Sequence, residues 1–195
     1  MPRTVVILFL EGATELEFYR KLVGWLRDQR PGRPEARCDV RFVDLAGVGE
    51  YATKAGRIFE KSIKPKYSGA CIKIGLCYDS DVFEFSQHPP VNWRQVVRDL
   101  KAHGAWEVQQ IVAKTSIEDW FLLDPEGLRK FLRLPQKIRM ENFRGYKGLQ
   151  ALFRKAGKVY AKGASCKGLV DHLDISVIAP KIGKQLDAIK RLMDL

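Results

Sequence analysis

The stretch Thr4–Leu10, TVVILFL, runs apolar without alternation and closes at Glu11-Gly12. That pattern predicts a short strand buried on both faces, as in a parallel sheet. Leu16, Phe18, Tyr19, Leu22, Val23 and Leu26 then recur at helical spacing. Thr14, with Glu17 three places on, reads as a capping box at the start of this helix, and Arg30-Pro31-Gly32 ends it. Cys38–Leu45 alternates and predicts a second strand. Gly47-Val48-Gly49 turns into a helix from Glu50 to Lys64, closed by Pro65. Ala70–Tyr78, ACIKIGLCY, is a third buried strand that ends on Asp79-Ser80-Asp81, and His88-Pro89-Pro90 is loop. Asn92 caps a helix from Trp93 to His103, stopped by Gly104. Trp106–Ala113 is a fourth strand, and Ser116 caps a helical segment, Ile117–Leu123.

Strand and helix alternate four times, which predicts an α/β fold: an open, mostly parallel four-stranded sheet flanked by helices. From Asp124-Pro125 onward the strand signal stops, and short helical patterns occupy 126–132, 146–157, 165–173 and 180–193. The chain thus divides into an α/β domain over 1–123 and a helical extension over 124–195, packed on the same domain.

Charge sharpens this division. The 195 residues carry a net charge of +11. Residues 1–124 hold 18 basic and 17 acidic side chains, whereas residues 125–195 hold 16 and 6. The extension is therefore the part expected to meet polyanions, although a solvated basic helical face would look the same. Hydrophobic residues at 46% exclude a wholly disordered chain. The run at Val5–Leu10 is too short to span a membrane, and Glu11-Gly12 stands where a secretory cleavage site would need small residues. Cys38, Cys71, Cys77 and Cys166 contain no C-x-x-C pair, which argues against a zinc ribbon or redox dithiol and predicts reduced thiols and a cytoplasmic protein. Trp93, Trp106 and Trp120 are expected in the core.

In an open parallel sheet, ligands bind outside the carboxyl ends of the strands. Those ends carry Glu11 after the first strand and Asp79 and Asp81 after the third. Carboxylates from two strands, completed by water, suit Mg2+ (or Mn2+). Glu15 sits in a first helical turn, where the helix dipole favours an acid regardless of function. Gly47-x-Gly49-x-x-Ala52 formally matches a dinucleotide fingerprint, but it follows the second strand and no acid ends a strand about 20 residues later.

Two motifs together, ILFLEGATELEFY and GLCYDSDVF, resemble the TOPRIM domain of topoisomerases, primases and related nucleases. The resemblance covers residues 4–123 and implies a Rossmann-like sheet. It assigns Glu11, Asp79 and Asp81 to a catalytic metal site, with Glu15 as a helper acid. Within that superfamily, TSIEDWFLLD and the tail VYAKG…HLDISVIAPKIGKQLDAIKRL are similar to small defence-associated proteins related to the nuclease half of the overcoming-lysogenization-defect family. This implies a second metal ligand at Glu118, with Asp119 as a weaker alternative, and a catalytic basic side chain at Lys162 or Lys167.

The activity implied is a magnesium-dependent nuclease on DNA or RNA, an effector of phage defence. Arg144 and Lys147 in FRGYKG, with Lys162 and Lys167, would bind the nucleic-acid backbone. No G-x-x-x-x-G-K-[ST] is present, so any ATPase would be a separate partner chain. An RNA-processing nuclease, and a non-catalytic module that binds nucleic acid or an ATPase, are the alternatives.

Overall fold

The structure, a computed structural model, describes residues 3–29, 38–81, 91–161 and 166–195. Its sheet contains strands β1 (Thr4–Leu10), β2 (Asp39–Asp44), β3 (Cys71–Asp79) and β4 (Glu107–Ala113) in the order β2-β1-β3-β4. All three pairings are parallel. The order reverses between β1 and β3, where Phe9 lies opposite Leu76. This is the topological switch point, and its carboxyl edge is where side chains from two strand ends converge.

Successive residues of β1 face opposite ways, and both faces are covered. Val5, Ile7 and Phe9 join one core with Ile74, Leu76, Tyr51, Phe59, Val96 and Leu100. That face is roofed by helix α2 over 51–66 and helix α3 (Trp93–Ala102). Val6, Leu8 and Leu10 join the other core with helix α1 (Ala13–Asp28) and the residues after 124, including Leu128, Leu149, Ile178 and Leu192. Helices on opposite faces follow from right-handed crossovers on a sheet whose winding reverses. The basic C-terminal segment therefore shares its core with α1.

Four local expectations are corrected. Helix α1 begins two residues earlier than a Thr14 cap requires. Gly12, extended at φ −175°, is the cap residue, it makes no side-chain capping bond, and Thr14 is buried inside the helix. The Thr14–Glu17 capping box does not form, and Glu15 instead occupies the first turn.

Helix α2 also continues past Pro65 to Lys66. Its turns at Tyr51–Ala55 and Phe59–Ile63 are π-wound. A proline ring collides with the carbonyl four residues back in an α-helix, and the wider π turn that contains Lys61 relieves that collision.

Ser116 precedes the short helix α4 (Ile117–Phe121) but makes no side-chain cap, because Asp79 takes that role. Trp106 is 75% exposed rather than in the core. It lies just before β4, the sheet's edge strand, where no further element covers it among the described residues. Trp120 is buried, and Trp93 stacks on Tyr78 at 3.6 Å between ring centroids.

Beyond 124 the helices are α5 (Pro125–Leu132), α6 (Gly145–Lys155), α7 (Lys167–His172), α8 (Ile175–Ile178) and α9 (Gly183–Leu192). Asp124 ties two of them together. Its Oδ1 accepts from the N–H of Gly127 at 3.0 Å, capping α5, and its Oδ2 accepts from the N–H of Asp174 at 2.7 Å, at the start of α8. Lys21 on α1 donates to the carbonyls of Val170, Asp171 and Leu173 at 2.5–2.8 Å, satisfying the free end of α7.

Candidate metal centre at the switch point

Glu11, Glu15 and Asp79 each bring a carboxylate oxygen to within 4.8 Å of the other two. Glu11 follows β1, Asp79 closes β3, and Glu15 comes down from the first turn of α1. Glu15 is 6% and Asp79 1% exposed, while Glu11 is half-buried. Backbone bonds hold this arrangement. The Glu11 Oε1 accepts from the N–H of Asp79 at 2.8 Å, and the Asp79 Oδ1 accepts from the N–H of Ile117 at 2.8 Å. The turn after β2 is tied in as well, through the N–H of Gly47 to the carbonyl of Glu11 at 2.8 Å. Gly47 has φ +131°, a backbone region that disfavours a side chain.

Tyr51 closes the floor. Its hydroxyl donates to the carbonyl of Phe9 at 3.0 Å and to that of Cys77, bridging β1 and β3 beneath the acids. Burial pushes the Tyr51 phenol well up, and Cys77, Glu11, Glu15 and Asp79 add to the shift. It therefore remains a neutral donor. Burial likewise raises the Cys77 thiol.

The donor set fits a small hard cation. Adjacent oxygens of a magnesium octahedron, with ligands at about 2.0–2.1 Å, lie about 2.9 Å apart and opposite ones about 4.1 Å, so carboxylates within 4.8 Å of one another need only a small approach to share one ion. Carboxylates gathered where water is largely excluded disfavour one another's ionisation, and a divalent ion would offset that.

The remaining candidates lie elsewhere. Asp81, in the turn after β3, donates its N–H to the carbonyl of Thr115 at 2.9 Å and lines a pocket on the β4 side; it is outside the group of three. Glu118 is also outside it. Helix α4 turns this side chain inward, where it is fully buried and its Oε1 accepts from the Tyr160 hydroxyl at 3.0 Å. Glu118 is thus built into the core beside Tyr160 and Cys166. Asp119 Oδ1 accepts from the N–H of Gly145 at 2.7 Å, anchoring the start of α6.

Arg144 and Lys147 are exposed and line the same pocket as Asp81. Lys167 is exposed at the start of α7. The preceding Cys166 donates its thiol to the carbonyl of Thr14 at 3.8 Å, which places this end of α7 beside the start of α1. Lys162 lies outside the described residues.

Sequence reasoning gave no role to Tyr51, Lys114 or Lys181, and only a capping role to Ser116. Nothing in the local pattern marks a tyrosine that bridges two strands, or cations that meet only after folding. Among the described residues, no helix is long and apolar enough to cross a membrane. No known protein family, curated protein or solved structure matches the chain.

Proposed function

We propose that the protein is a magnesium-dependent nuclease of TOPRIM type that hydrolyses phosphodiester bonds in DNA or RNA. The observation that carries this reading is the meeting of Glu11, Glu15 and Asp79 at the switch-point edge of a parallel sheet. Glu11, Glu15 and Asp79 would hold the cation; Asp81 stands two residues further along, towards the basic pocket. The ion, when bound, supplies Lewis acidity and neutralises charge developing on the phosphate.

The chain's own residues do the positioning. The N–H groups of Asp79 and Ile117 fix one oxygen each of Glu11 and Asp79, orienting both carboxylates. Exposed Lys114, Arg144, Lys147 and Lys167 offer cations to the nucleic-acid backbone, and such contacts weaken steeply with salt. The four unbridged thiols accord with the cytoplasm as the place of action, and a phage-defence role with a separate ATPase would be the setting.

The test is cleavage of plasmid, single-stranded DNA and structured RNA with Mg2+ or Mn2+, comparing wild type with Asp79→Asn. Asparagine keeps an Oδ1 acceptor for Ile117 and loses the charge, so the fold is retained and cleavage is lost. Cleavage at the wild-type rate would overturn the proposal. Tight nucleic-acid binding with no cation binding by calorimetry would instead favour a non-catalytic module.

A further inference from the structure

A pocket of about 850 Å3 opens beside the carboxylate group, between the ends of β3 and β4 and the segments around 145 and 182. This is within the range of small-molecule sites, about 300–1,000 Å3. Four exposed cations, Lys114, Arg144, Lys147 and Lys181, line it against two acids, Asp81 and Asp119. Among the described residues, none of the four lies in an ion pair. Lys181 spends one of its three donors on the carbonyl of Leu123 at 2.8 Å, and Arg144 one of its five on that of Phe143 at 2.6 Å. Both keep donors for an anion.

Apolar side chains line it as well: Leu123, Ile182 and the half-buried ring of Tyr146. Ser116 lines the pocket too. It is 1% exposed, and its Oγ has no hydrogen-bond partner among the described residues. A buried hydroxyl left without a partner is costly, and a ligand group that reached it would satisfy it. Gly145, at φ +55°, keeps the space open: a Cβ there would stand 3.8 Å from that hydroxyl.

We propose that this pocket binds one phosphorylated nucleotide, with the phosphate among Lys114, Arg144, Lys147 and Lys181 and the base against Leu123, Ile182 and Tyr146. The unit is either a free nucleotide or the unpaired end of a strand. Apolar and aromatic side chains that share one pocket with four cations suit a ring system joined to a dianion better than either alone. Only the choice of nucleotide over other aromatic phosphates rests on the nuclease reading.

The test is calorimetry on the full chain in EDTA, so that binding is read without the metal. The probes are adenosine 5′-monophosphate, a short 5′-phosphorylated single strand, and inorganic phosphate. The nucleotide or the strand binds, and the tighter of the two identifies the source. Inorganic phosphate binds at least about tenfold more weakly, because it leaves the apolar lining bare. Lys114→Gln with Lys181→Gln weakens binding about tenfold. Ser116→Ala weakens it without lowering Tm, as a purely structural hydroxyl would not.

No binding of nucleotide or strand by the wild type overturns the proposal. So does phosphate binding as tightly as the nucleotide, or indifference to the lysine pair. Nucleotide binding in EDTA by a protein that cleaves nothing would leave the pocket standing and remove the nuclease. Cleavage lost in Asp79→Asn without nucleotide binding would do the reverse.

Discussion

The Oε1 of Glu11 accepts from the backbone N–H of Asp79 at 2.8 Å, so an acid from one strand end is tied to the main chain of another acid on the neighbouring strand end. The bond fixes the spacing of the two carboxylates before any cation arrives. Glu11→Gln retains the acceptor and loses the charge; Glu11→Ala loses both. Metal affinity falls in both variants. Only Glu11→Ala also loses stability, by about 1–3 kcal/mol, since it leaves the N–H of Asp79 without this acceptor. Denaturant melts paired with manganese titration separate the two effects.

Cation binding to three converging carboxylates is linked to folding. Saturating Mg2+ or Mn2+ raises Tm of the wild type, by an amount set by the concentration relative to Kd. In Asp79→Asn the rise disappears. Thermal melts in EDTA and in millimolar metal read this directly.

Tyr160 is 4% and Glu118 0% exposed, and the phenol donates to the carboxylate. Tyr160→Phe keeps the ring contacts with Tyr146 and Phe153 but strands a buried carboxylate oxygen. The expected loss is about 1–3 kcal/mol in urea. If Glu118 works only through this bond, Glu118→Gln in the Tyr160→Phe background restores part of it, because a neutral amide costs less to bury than a charge.

A Cβ at Gly75 would stand 2.6 Å from Leu8 Cδ2 and 2.9 Å from Ile111 Cδ1. Gly75→Ala therefore overpacks the centre of the sheet and destabilises by about 1–3 kcal/mol. Gly24→Ala meets nothing within 4 Å and lies inside helix α1, so it stabilises by up to about 1 kcal/mol. Chemical denaturation of the pair tests both signs.

Alkaline pH weakens the fold through its thiols. Burial, with Glu15, Glu17 and Glu118 nearby, pushes Cys166 up to about 12, and burial raises Cys77 too. An unfolded thiol gives up its proton near about 8.5. Between those values the folded chain binds more protons than the unfolded one, so stability falls as pH rises. Tm is lower at pH 10 than at pH 8, and the drop is smaller in Cys166→Ala. At pH 8, half-buried Cys71 reacts with a thiol reagent before fully buried Cys77.

Much of the sheet was legible because β1 and β3 are apolar on both faces, and that signature survives without any knowledge of neighbours. Glu11 and Asp79 were legible for the same reason: acids that follow buried strands stand at the carboxyl edge whatever the helices do. What failed depends on partners distant in the chain. Helix α1 is capped at Gly12, where local capping preference points to Thr14. Trp106 is exposed beside β4, an edge strand. The π winding of α2 has no residue signature that sets it apart from an ordinary helix. The four cations of the pocket come from three separate segments, so their meeting is a property of the tertiary arrangement alone.

Gly75 owes its missing side chain partly to Leu192, whose Cδ1 would lie 3.2 Å from a Cβ there, and Lys73 on the same strand reaches Asp194 at 2.5 Å. The middle of the sheet is thus sealed by residues more than a hundred positions further along the chain. A ribosome still holding residues 192–194 would carry a nascent chain whose third strand lacks this cover on one face.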